Sequence, residues 1–298
     1  MDRLDALKIF CNVVEAGGFN KAAERMGISA TSVTNHISLL ETRFDIKLLN
    51  RTTRSMSLTE AGRQCYEQAL HLLSDMSELE SNLTQSTLKP SGSLRIDMPS
   101  VISRLYVAPA LARFIADYPD LALKITVRDN LIDMVEEGID VLIRIGQLQS
   151  SNLIAKRVCT TRYICCASPQ YLQQNGWPDT PETLAEFTCL SFLNPKSRQV
   201  RPWFFEHQQE KFNYIPKAAV AMDHVESLIE AAKAGGGIIQ HMSISLMPSL
   251  RAGLLVPILE QWSTPGPDVS VLYQQKNHQP AKIKAFVEFI QELLHQQV

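Results

Sequence analysis

The stretch that decides the fold is residues 19–40, FNKAAERMGISATSVTNHISLL. Ala22 and Ala23 are small residues at a point where another helix must approach closely, and Gly27 follows at the spacing of a tight turn. Ser29 is a good N-cap for a further helix. Apolar side chains recur on that helix at helical spacing, at Val33, Ile37 and Leu40. The stretch therefore predicts a helix-turn-helix pair.

The flanking residues extend this interpretation. Apolar positions between 4 and 14 predict a preceding helix that Gly17 and Gly18 stop, and Asn20 is the expected N-cap of the second helix. The outward side chains of the last helix would meet phosphates and base edges in a DNA major groove. These predicted DNA-contacting residues are Ala30, Thr31, Ser32, Thr34, Asn35 and His36. The alternative is an ordinary three-helix core with solvated polar faces.

Residues 48–58, LLNRTTRSMSL, read as two short strands around a basic, hydroxyl-rich tip, which is the composition of a wing. Segment 46–58 contains three basic residues and no acid. Such a tip can contact phosphates or a minor groove. The predicted contacts are Arg51, Thr52, Thr53 and Arg54.

A long helix is expected to follow, capped by Thr59 and running to about residue 88. Apolar positions in it are spaced by four and three residues, the pattern of a coiled-coil seam, while most positions between them are polar. The seam residues are Cys65, Ala69, Leu72, Met76, Leu79 and Leu83. The pattern favours dimerisation over packing on the chain's own domain. A dimer of DNA-reading units implies a palindromic operator.

After a linker at 89–92, strands and helices alternate. Segments 94–98, 121–127 and 141–145 read as strands, and 105–117 and 131–137 as helices, which implies a parallel sheet. A second set comprises 163–167, 169–175, 220–222, 225–234 and 235–239, and the chain closes with 269–274 and 281–296. No catalytic motif occurs, and the triple glycine at 235–237 reads as a helix C-cap before a strand.

Composition limits the classes that remain. The 298 residues carry 29 Lys plus Arg and 31 Asp plus Glu, with +2 net charge over residues 1–65 and −4 over the remainder. Apolar runs are far shorter than the ~20 residues of a membrane span, and the N-terminus lacks a secretory signal, so a cytoplasmic location is expected. The cysteines are sparse and predict reduced thiols, although the adjacent pair Cys165–Cys166 admits a redox-sensor alternative.

The sequence resembles the LysR-type transcriptional regulators over almost its whole length. The N-terminal match rests on FCNVVEAGGFNKAA at 10–23, SVTNHISLLE at 32–41, LLNR at 48–51 and LTEAG at 58–62. The C-terminal match rests on GIDVLIRIG at 138–146, ASPQYL at 167–172, AGGGI at 234–238 and GLLV at 253–256. Departures include Gly18, Asn20, Thr34 and Asp45 near the reader, and Gln240-His241-Met242 where Leu-Pro is usual.

The resemblance implies three parts: an all-α winged helix-turn-helix domain at 1–60, a dimerising linker helix at 61–89 and an α/β effector domain at 90–298. That domain would resemble a periplasmic binding protein, with lobe I at 92–162 plus 268–298 and lobe II at 163–267. It implies a homodimer that assembles into a homotetramer, double-stranded promoter DNA and a small organic effector as partners, and RNA polymerase if the chain activates transcription. No cofactor, metal site or membrane partner is expected.

Ligands in α/β sheets bind beyond the carboxyl ends of strands, so the effector site is predicted there. The candidate residues are Ser100, Val101, Ser103, Asn130, Arg144, Phe192, Trp203, Asp223 and His224. Arg144 could bind a carboxylate or form a structural salt bridge, Trp203 could be core, and His224 could be a helix cap. The expected effector is a carboxylate or an aromatic compound. The rival function is an enzyme or small-molecule binding module with an incidental helical domain.

Overall fold

A computed structural model describes residues 3–51, 56–83, 90–130, 132–134, 137–146, 148, 153–275 and 280–295, and within these the side chains of 51, 71, 74, 75, 77–83 and 218 are not described. The chain divides into two compact units. The first contains residues 1–93, 120–122 and 133–138, and the second contains 94–119, 123–132 and 139–298.

The first unit opens with three helices, α1 (Arg3–Ala16), α2 (Phe19–Met26) and α3 (Ala30–Phe44). As predicted, Gly27 ends α2 in the left-handed region at φ 66°, and the Ser29 Oγ caps α3 by accepting a hydrogen bond from the Ser32 amide at 3.1 Å. The prediction that Asn20 caps α2 is wrong, because the helix begins at Phe19 and Gly18 occupies the cap position without a side-chain hydrogen bond. The helices enclose a core that includes Phe10, Ala22, Val33 and Ile37.

The wing strands β1 (Leu49–Arg51) and β2 (Met56–Leu58) pair antiparallel and lead into α4 (Glu60–Leu83). Thr59 starts that helix, as expected. Its Oγ1 accepts from the Gly62 amide at 2.8 Å and donates to the Lys47 carbonyl at 2.7 Å. A Cβ at Gly62 would lie 1.9 Å from the Leu48 carbonyl oxygen, so only glycine allows α4 to approach the wing this closely.

The second part of the chain is a mixed α/β domain. Its strands are β3 (Gly92–Met98), β4 (Leu121–Val127), β5 (Val141–Ile145), β6 (Leu153–Ala167), β7 (Cys189–Phe192), β8 (Trp203–His207), β9 (Glu210–Tyr214), β10 (Ala218–Met222), β11 (Ile238–Met242), β12 (Val256–Ile258) and β13 (Thr264–Gln274). Its helices are α5 (Ser100–Ile102), α6 (Ala108–Asp117), α7 (Pro169–Asn175), α8 (Val225–Lys233), α9 (Ser243–Arg251) and α10 (Ala281–His295), with a π-helical turn at Ser103–Val107 and 3-10 turns at Glu182–Glu186 and Glu260–Trp262.

The main sheet has the strand order β10-β7-β11-β6-β13-β5-β3-β4, with β12 beside β6. Strands β3 and β5 are parallel, as are β7, β10 and β11, but β6 and β13 pair antiparallel with each other and with their outer neighbours. The parallel pairing expected for the strands at 94–98 and 141–145 is confirmed by β3 and β5, while β6 and β13 add antiparallel pairs that make the whole sheet mixed. The chain enters the half of the sheet that contains β7, β10 and β11 along β6 and leaves it along β13. Because these two neighbouring strands run in opposite directions between the halves, they pair antiparallel. We call the β3–β4–β5 half lobe I and the β7–β10–β11 half lobe II.

Two further expectations about elements differ from the structure. The helix predicted at 131–137 is wrong for the described residues there, which form a turn closed by the Glu137 amide donating to the Asp133 carbonyl at 3.1 Å. The β8–β9 hairpin was not predicted. Its turn residues Gln208 and Gln209 both have positive φ, at 50° and 71°, and the residues typical of such a turn are Asn and Gly. No helix in the described ranges is both long and apolar enough to cross a membrane.

Candidate functional site

The N-terminal half of α3 presents the predicted DNA-contacting side chains. Thr31 and Asn35 lie one turn apart and are exposed, while Ala30, Ser32, Thr34 and His36 are half-buried. Val33 and Ile37 point the other way into the core, and each is fully buried. The helix therefore has one apolar face that fixes it in the unit and one polar face open to a partner.

Two of these polar groups are already bonded within the helix. The Thr34 hydroxyl donates to the Ala30 carbonyl at 2.9 Å. His36 Nδ1 lies 2.7 Å from the Ser32 carbonyl, which can only accept, so Nδ1 carries the proton and a neutral ring keeps Nε2 as an acceptor. Thr31 and Asn35 are the side chains best placed to reach a base edge, and Asn suits adenine.

Glu41 joins α3 to the wing, a role that the sequence did not reveal. Its side chain is buried, with Oε1 accepting from the amides of Leu48 and Leu49 at 2.9 and 3.2 Å and Oε2 from Lys47 Nζ at 2.9 Å. Burial raises the pKa of this carboxyl, but the bonds from Lys47 and the two amides outweigh that effect and leave the pKa below its ordinary value of 4.5. An ionised Glu41 thus ties the first wing strand to the recognition helix.

The wing tip is described only at its base. Arg51 ends β1 opposite Met56, which brings the chain into a hairpin at the predicted place. The predicted contacts Thr52, Thr53 and Arg54 lie outside the described residues.

The predicted seam of α4 divides into two parts. Cys65 packs against the core of the first unit, and Ala69 is 1% exposed. Leu72, by contrast, is 55% exposed, and Met76 is half-buried. The side chains of Leu79 and Leu83 are not described. Among the described side chains, Leu72 and Met76 therefore leave apolar surface available for a second helix, while the first seam positions serve the chain's own domain.

A cavity of about 550 Å³ lies between lobe I and lobe II of the second unit. This volume is typical of small-molecule sites, which range from about 300 to 1,000 Å³. Seven of the nine candidate effector residues line it, namely Ser100, Val101, Asn130, Arg144, Phe192, Asp223 and His224. Residues from many separate segments thus converge on one space.

The other two candidates lie elsewhere. Ser103 begins the π-helical turn, where its amide donates to the Pro99 carbonyl at 3.0 Å, and its side chain is not part of the cavity wall. Trp203 is 1% exposed and packs in the apolar core of lobe II with Phe205 and Leu184. This ring, at the start of the β8–β9 hairpin, is buried in the core rather than turned towards a ligand.

Lobe I contributes two carboxylates to the cavity region. Asp129 accepts from both the amide and the hydroxyl of Ser100, at 3.0 and 2.8 Å, so that hydroxyl is already engaged. Asp97 is fully buried and pairs with Arg144, whose Nη2 lies 2.9 Å from Oδ1, while Thr126 donates to its other oxygen at 2.7 Å. Arg144 reaches the cavity wall as one half of a buried ion pair.

Lobe II contributes groups that sequence reasoning mostly missed. His224 is the N-cap of α8, with Nδ1 accepting from the Ser227 amide at 3.3 Å, and so acts in the helix-cap role weighed as an alternative. Arg201 and His241 also line the cavity. The sequence pointed to this region only through residues 240–242, which depart from the family pattern. Gln240 of this segment anchors the region, because its side chain bonds both the amide and the carbonyl of Phe204 at 2.8 Å.

Direct contacts join the lobes beside the cavity. Arg104 of lobe I pairs with Glu226 of lobe II at 2.6 Å, and both line the cavity. The Tyr106 hydroxyl donates to the Ile244 carbonyl at 2.6 Å in a buried position. A half-exposed ion pair and a buried hydrogen bond therefore connect the two lobes beside the cavity.

The adjacent cysteines lie in the lobe II core. Cys165 packs on one face of the sheet and Cys166 in a separate cluster, as expected for neighbours on a strand. Burial raises the pKa of both thiols far above the ordinary value, which disfavours the reactive thiolate. Their surroundings are those of core residues.

Comparisons with known proteins agree over the whole chain. A family model described as the LysR-family bacterial regulatory helix-turn-helix protein matches residues 4–63, and the LysR substrate binding domain matches residues 88–295. An HTH-type transcriptional repressor of Pseudomonas aeruginosa is 36% identical, covering 98% of this chain and 92% of the relative. The HTH-type transcriptional regulator DmlR of Escherichia coli is 32% identical, covering 97% and 94%.

Solved structures give the same result. CrgA, a LysR-type transcriptional regulator from Neisseria meningitidis, superposes with a TM-score of 0.62 at 29% identity and covers 97% of both chains. The Vibrio cholerae virulence activator AphB, a member of the same protein family, gives a TM-score of 0.59 at 29% identity over 100% of both chains. Both are full-length proteins, so the likeness includes both parts of the chain.

Proposed function

The chain belongs to the LysR family of bacterial transcriptional regulators, and from this premise we propose that it reads an interrupted palindromic operator through α3 and the wing. Regulators of this family bind DNA and small-molecule effectors and form oligomers, and they are not enzymes. The observation that carries the DNA-reading proposal is the exposed Thr31–Asn35 face of α3, locked to the wing by the buried Glu41.

The same proposal assigns dimerisation to α4. The exposed Leu72 supports a helix-to-helix contact with a second copy, followed by pairing of dimers into a tetramer. Two linked readers gain affinity through effective concentration, which compensates for the small positive charge of each. When the protein acts as an activator, RNA polymerase is its further partner.

The cavity between the lobes is the proposed effector site, with Ser100, Arg144 and His224 on its walls. A ligand that binds one lobe arrangement more tightly shifts the population towards it by its differential affinity. That shift would alter the spacing of the DNA-reading units on the operator. The proposed effector is a small organic molecule.

Footprinting of the purified chain on its own upstream DNA, over a range of salt concentrations, tests the DNA-reading proposal. We expect selective protection of an interrupted palindrome. Asn35→Ala should relax the preference at one operator position, and Arg51→Ala and Arg54→Ala should weaken binding on all sequences and flatten its salt dependence. Arg113→Ala is the matched control, since it removes an equal charge at an exposed pair with Glu292 in the effector domain. Absence of any selective protection would overturn the proposal.

A further inference from the structure

Two arginines on the cavity wall, the buried Arg144 and the half-buried Arg201, are in different electrostatic situations. Arg144 pairs with the fully buried Asp97 at 2.9 Å, and Arg128 Nε lies 3.7 Å from the other oxygen of that carboxylate. The charge of Arg144 is therefore balanced within lobe I, and a ligand that bound Arg144 in place of Asp97 would leave this carboxylate without its closest positive charge.

Arg201 has no such partner. Its guanidinium lies between the rings of Tyr163 and Phe192, at 5.7 and 5.3 Å from their centroids, and Nη2 donates to the Gln240 carbonyl at 3.3 Å. Its buried Nε has no hydrogen-bond partner, and no carboxylate of the described residues forms an ion pair with it. Aromatic faces and one carbonyl hold the cation in place without neutralising it.

Neutral hydrogen-bonding groups surround this arginine. His241 and Ser245 line the same cavity, and the His241 Nδ1 and the Ser245 Oγ are buried without partners. Burial and, secondarily, the charge of Arg201 lower the pKa of His241 to about 3, so the imidazole is neutral at physiological pH. The wall thus offers one unbalanced positive charge together with uncharged donors and acceptors.

The remaining charged groups of the cavity do not compete for this role. Glu226 is paired with Arg104, and Lys196, Asp129 and Asp223 are exposed, so water already solvates them. Arg201 is different, because it is half-buried with a fully buried Nε, so its cation loses part of its hydration without gaining a counter-ion. Arg201 is the position where an anionic ligand adds most to binding.

We propose that the ligand of this cavity is a small organic acid whose carboxylate pairs with Arg201 of lobe II, while Arg144 stays bound to Asp97. Its uncharged body lies along Phe192 and the apolar wall, and its other polar atoms meet His241 and Ser245. The inference rests on the proposed function, and it assigns both the chemical class of the effector and the residue that binds its charge.

The test compares acids with their neutral amides on the full-length chain. Melting temperature is measured with succinate, phenylacetate, succinamide and phenylacetamide at constant ionic strength. We expect at least one acid to raise the melting temperature, its amide to have no effect, and Arg201→Gln to weaken binding of that acid about tenfold or more. Arg162→Gln, which removes an equal charge from an exposed position outside the cavity, should bind the acid as the wild type does.

Three results would overturn the inference: neither acid raises the melting temperature, an amide acts as well as its acid, or Arg201→Gln retains full binding. Tryptophan fluorescence of Arg201→Gln in the absence of acid shows whether its effector domain is folded, because Trp177, Trp203 and Trp262 lie in that domain. Footprinting of the upstream DNA by the wild type tests DNA reading separately, because the DNA-reading residues lie in the other unit. If the wild type gives the footprint but binds neither acid, the inference is wrong and DNA reading stands. If the wild type gives no footprint, the proposed function itself fails.

Discussion

The DNA-reading helix and the effector cavity differ in how far apart in the sequence their residues lie. The polar face of α3 comes from residues 30–36, within two turns of one helix, whereas the cavity wall draws on segments between residues 99 and 267. A local site follows from local spacing. A site assembled from distant segments depends on how a whole sheet is ordered, so its charge balance is visible only in the structure.

The two regions also differ in how they treat charge. The reader exposes its polar groups to water until DNA replaces that water, and the buried carboxylate of Glu41 accepts hydrogen bonds at both oxygens. On the cavity wall the buried Arg144 is balanced by Asp97, whereas the half-buried Arg201 forms no ion pair with a described residue. A surface that binds a charged polymer can remain hydrated when it is empty. The cavity, by contrast, keeps the cation of Arg201 without a counter-ion until a ligand binds.

The largest effect on stability is expected from breaking the ion pair between Arg144 and Asp97. Arg144→Met leaves Asp97 buried without its main partner and should lower the free energy of unfolding of the effector domain by about 3–5 kcal/mol. Urea unfolding followed by tryptophan fluorescence reports this domain, because Trp177, Trp203 and Trp262 all lie in it. The double variant Arg144→Met/Asp97→Leu should recover most of the loss. An unchanged unfolding curve for the single variant would contradict a structural role for Arg144.

The next effect acts on the reader. Gly62→Ala places a Cβ 1.9 Å from the Leu48 carbonyl, so α4 and the wing must separate, at a cost of about 1–3 kcal/mol. Operator binding followed at rising temperature should be lost earlier, while tryptophan fluorescence of the effector domain stays unchanged. Gly18→Ala is the matched control, since its Cβ would meet no atom within 4 Å. Equal operator melting for both variants would refute the close approach of α4.

Glu41 gives the reader a pH dependence. Its pKa is lowered in the folded state, so its contribution to stability is present above the ordinary value of 4.5 and is lost as the pH falls below that value. Glu41→Gln should cost about 1–3 kcal/mol at neutral pH, and the difference from wild type should shrink in acid. Melting of the protein–operator complex at several pH values measures this. A difference that is constant with pH would mean that the charge of Glu41 contributes nothing.

The smallest effects on stability are expected from removing one helix cap in each region. Ser29 caps α3 from an exposed position, and Ser168 caps α7 through the Tyr171 amide at 3.2 Å while only 3% exposed. Both alanine variants should lose about 0.5–2 kcal/mol, with Ser168→Ala at the upper end because water cannot replace the lost acceptor. Urea unfolding and operator melting give the two values. A larger loss for Ser29→Ala would reverse the expected order.

The features that could be predicted from the sequence are those that depend on nearby residues, and the features that could not are those that depend on distant ones. The three N-terminal helices, the wing and the Thr59 cap were predictable, because each depends on residues a few positions apart. The antiparallel strands β6 and β13, the Gln208–Gln209 turn and the turn around Asp133 were not, because chain reversal and positive φ leave little local signal here. Strand ends led to the prediction of seven residues that line the cavity in the structure, and their role as an effector site stays a prediction. The pairing of Arg144 and the absence of a counter-ion at Arg201 depend on contacts between residues tens of positions apart.

The return of the chain along β13 has a consequence for synthesis. Lobe I is closed only when β13 pairs with β5 and when α10 packs Phe286 and Phe289 on Phe114, so it needs residues from both ends of the effector domain. The N-terminal helices and wing need no residue beyond α4 for their core. On the ribosome, the DNA-reading unit can therefore fold while the last strand and helix of lobe I are still untranslated. A nascent chain acquires its DNA-reading fold before its ligand site is complete.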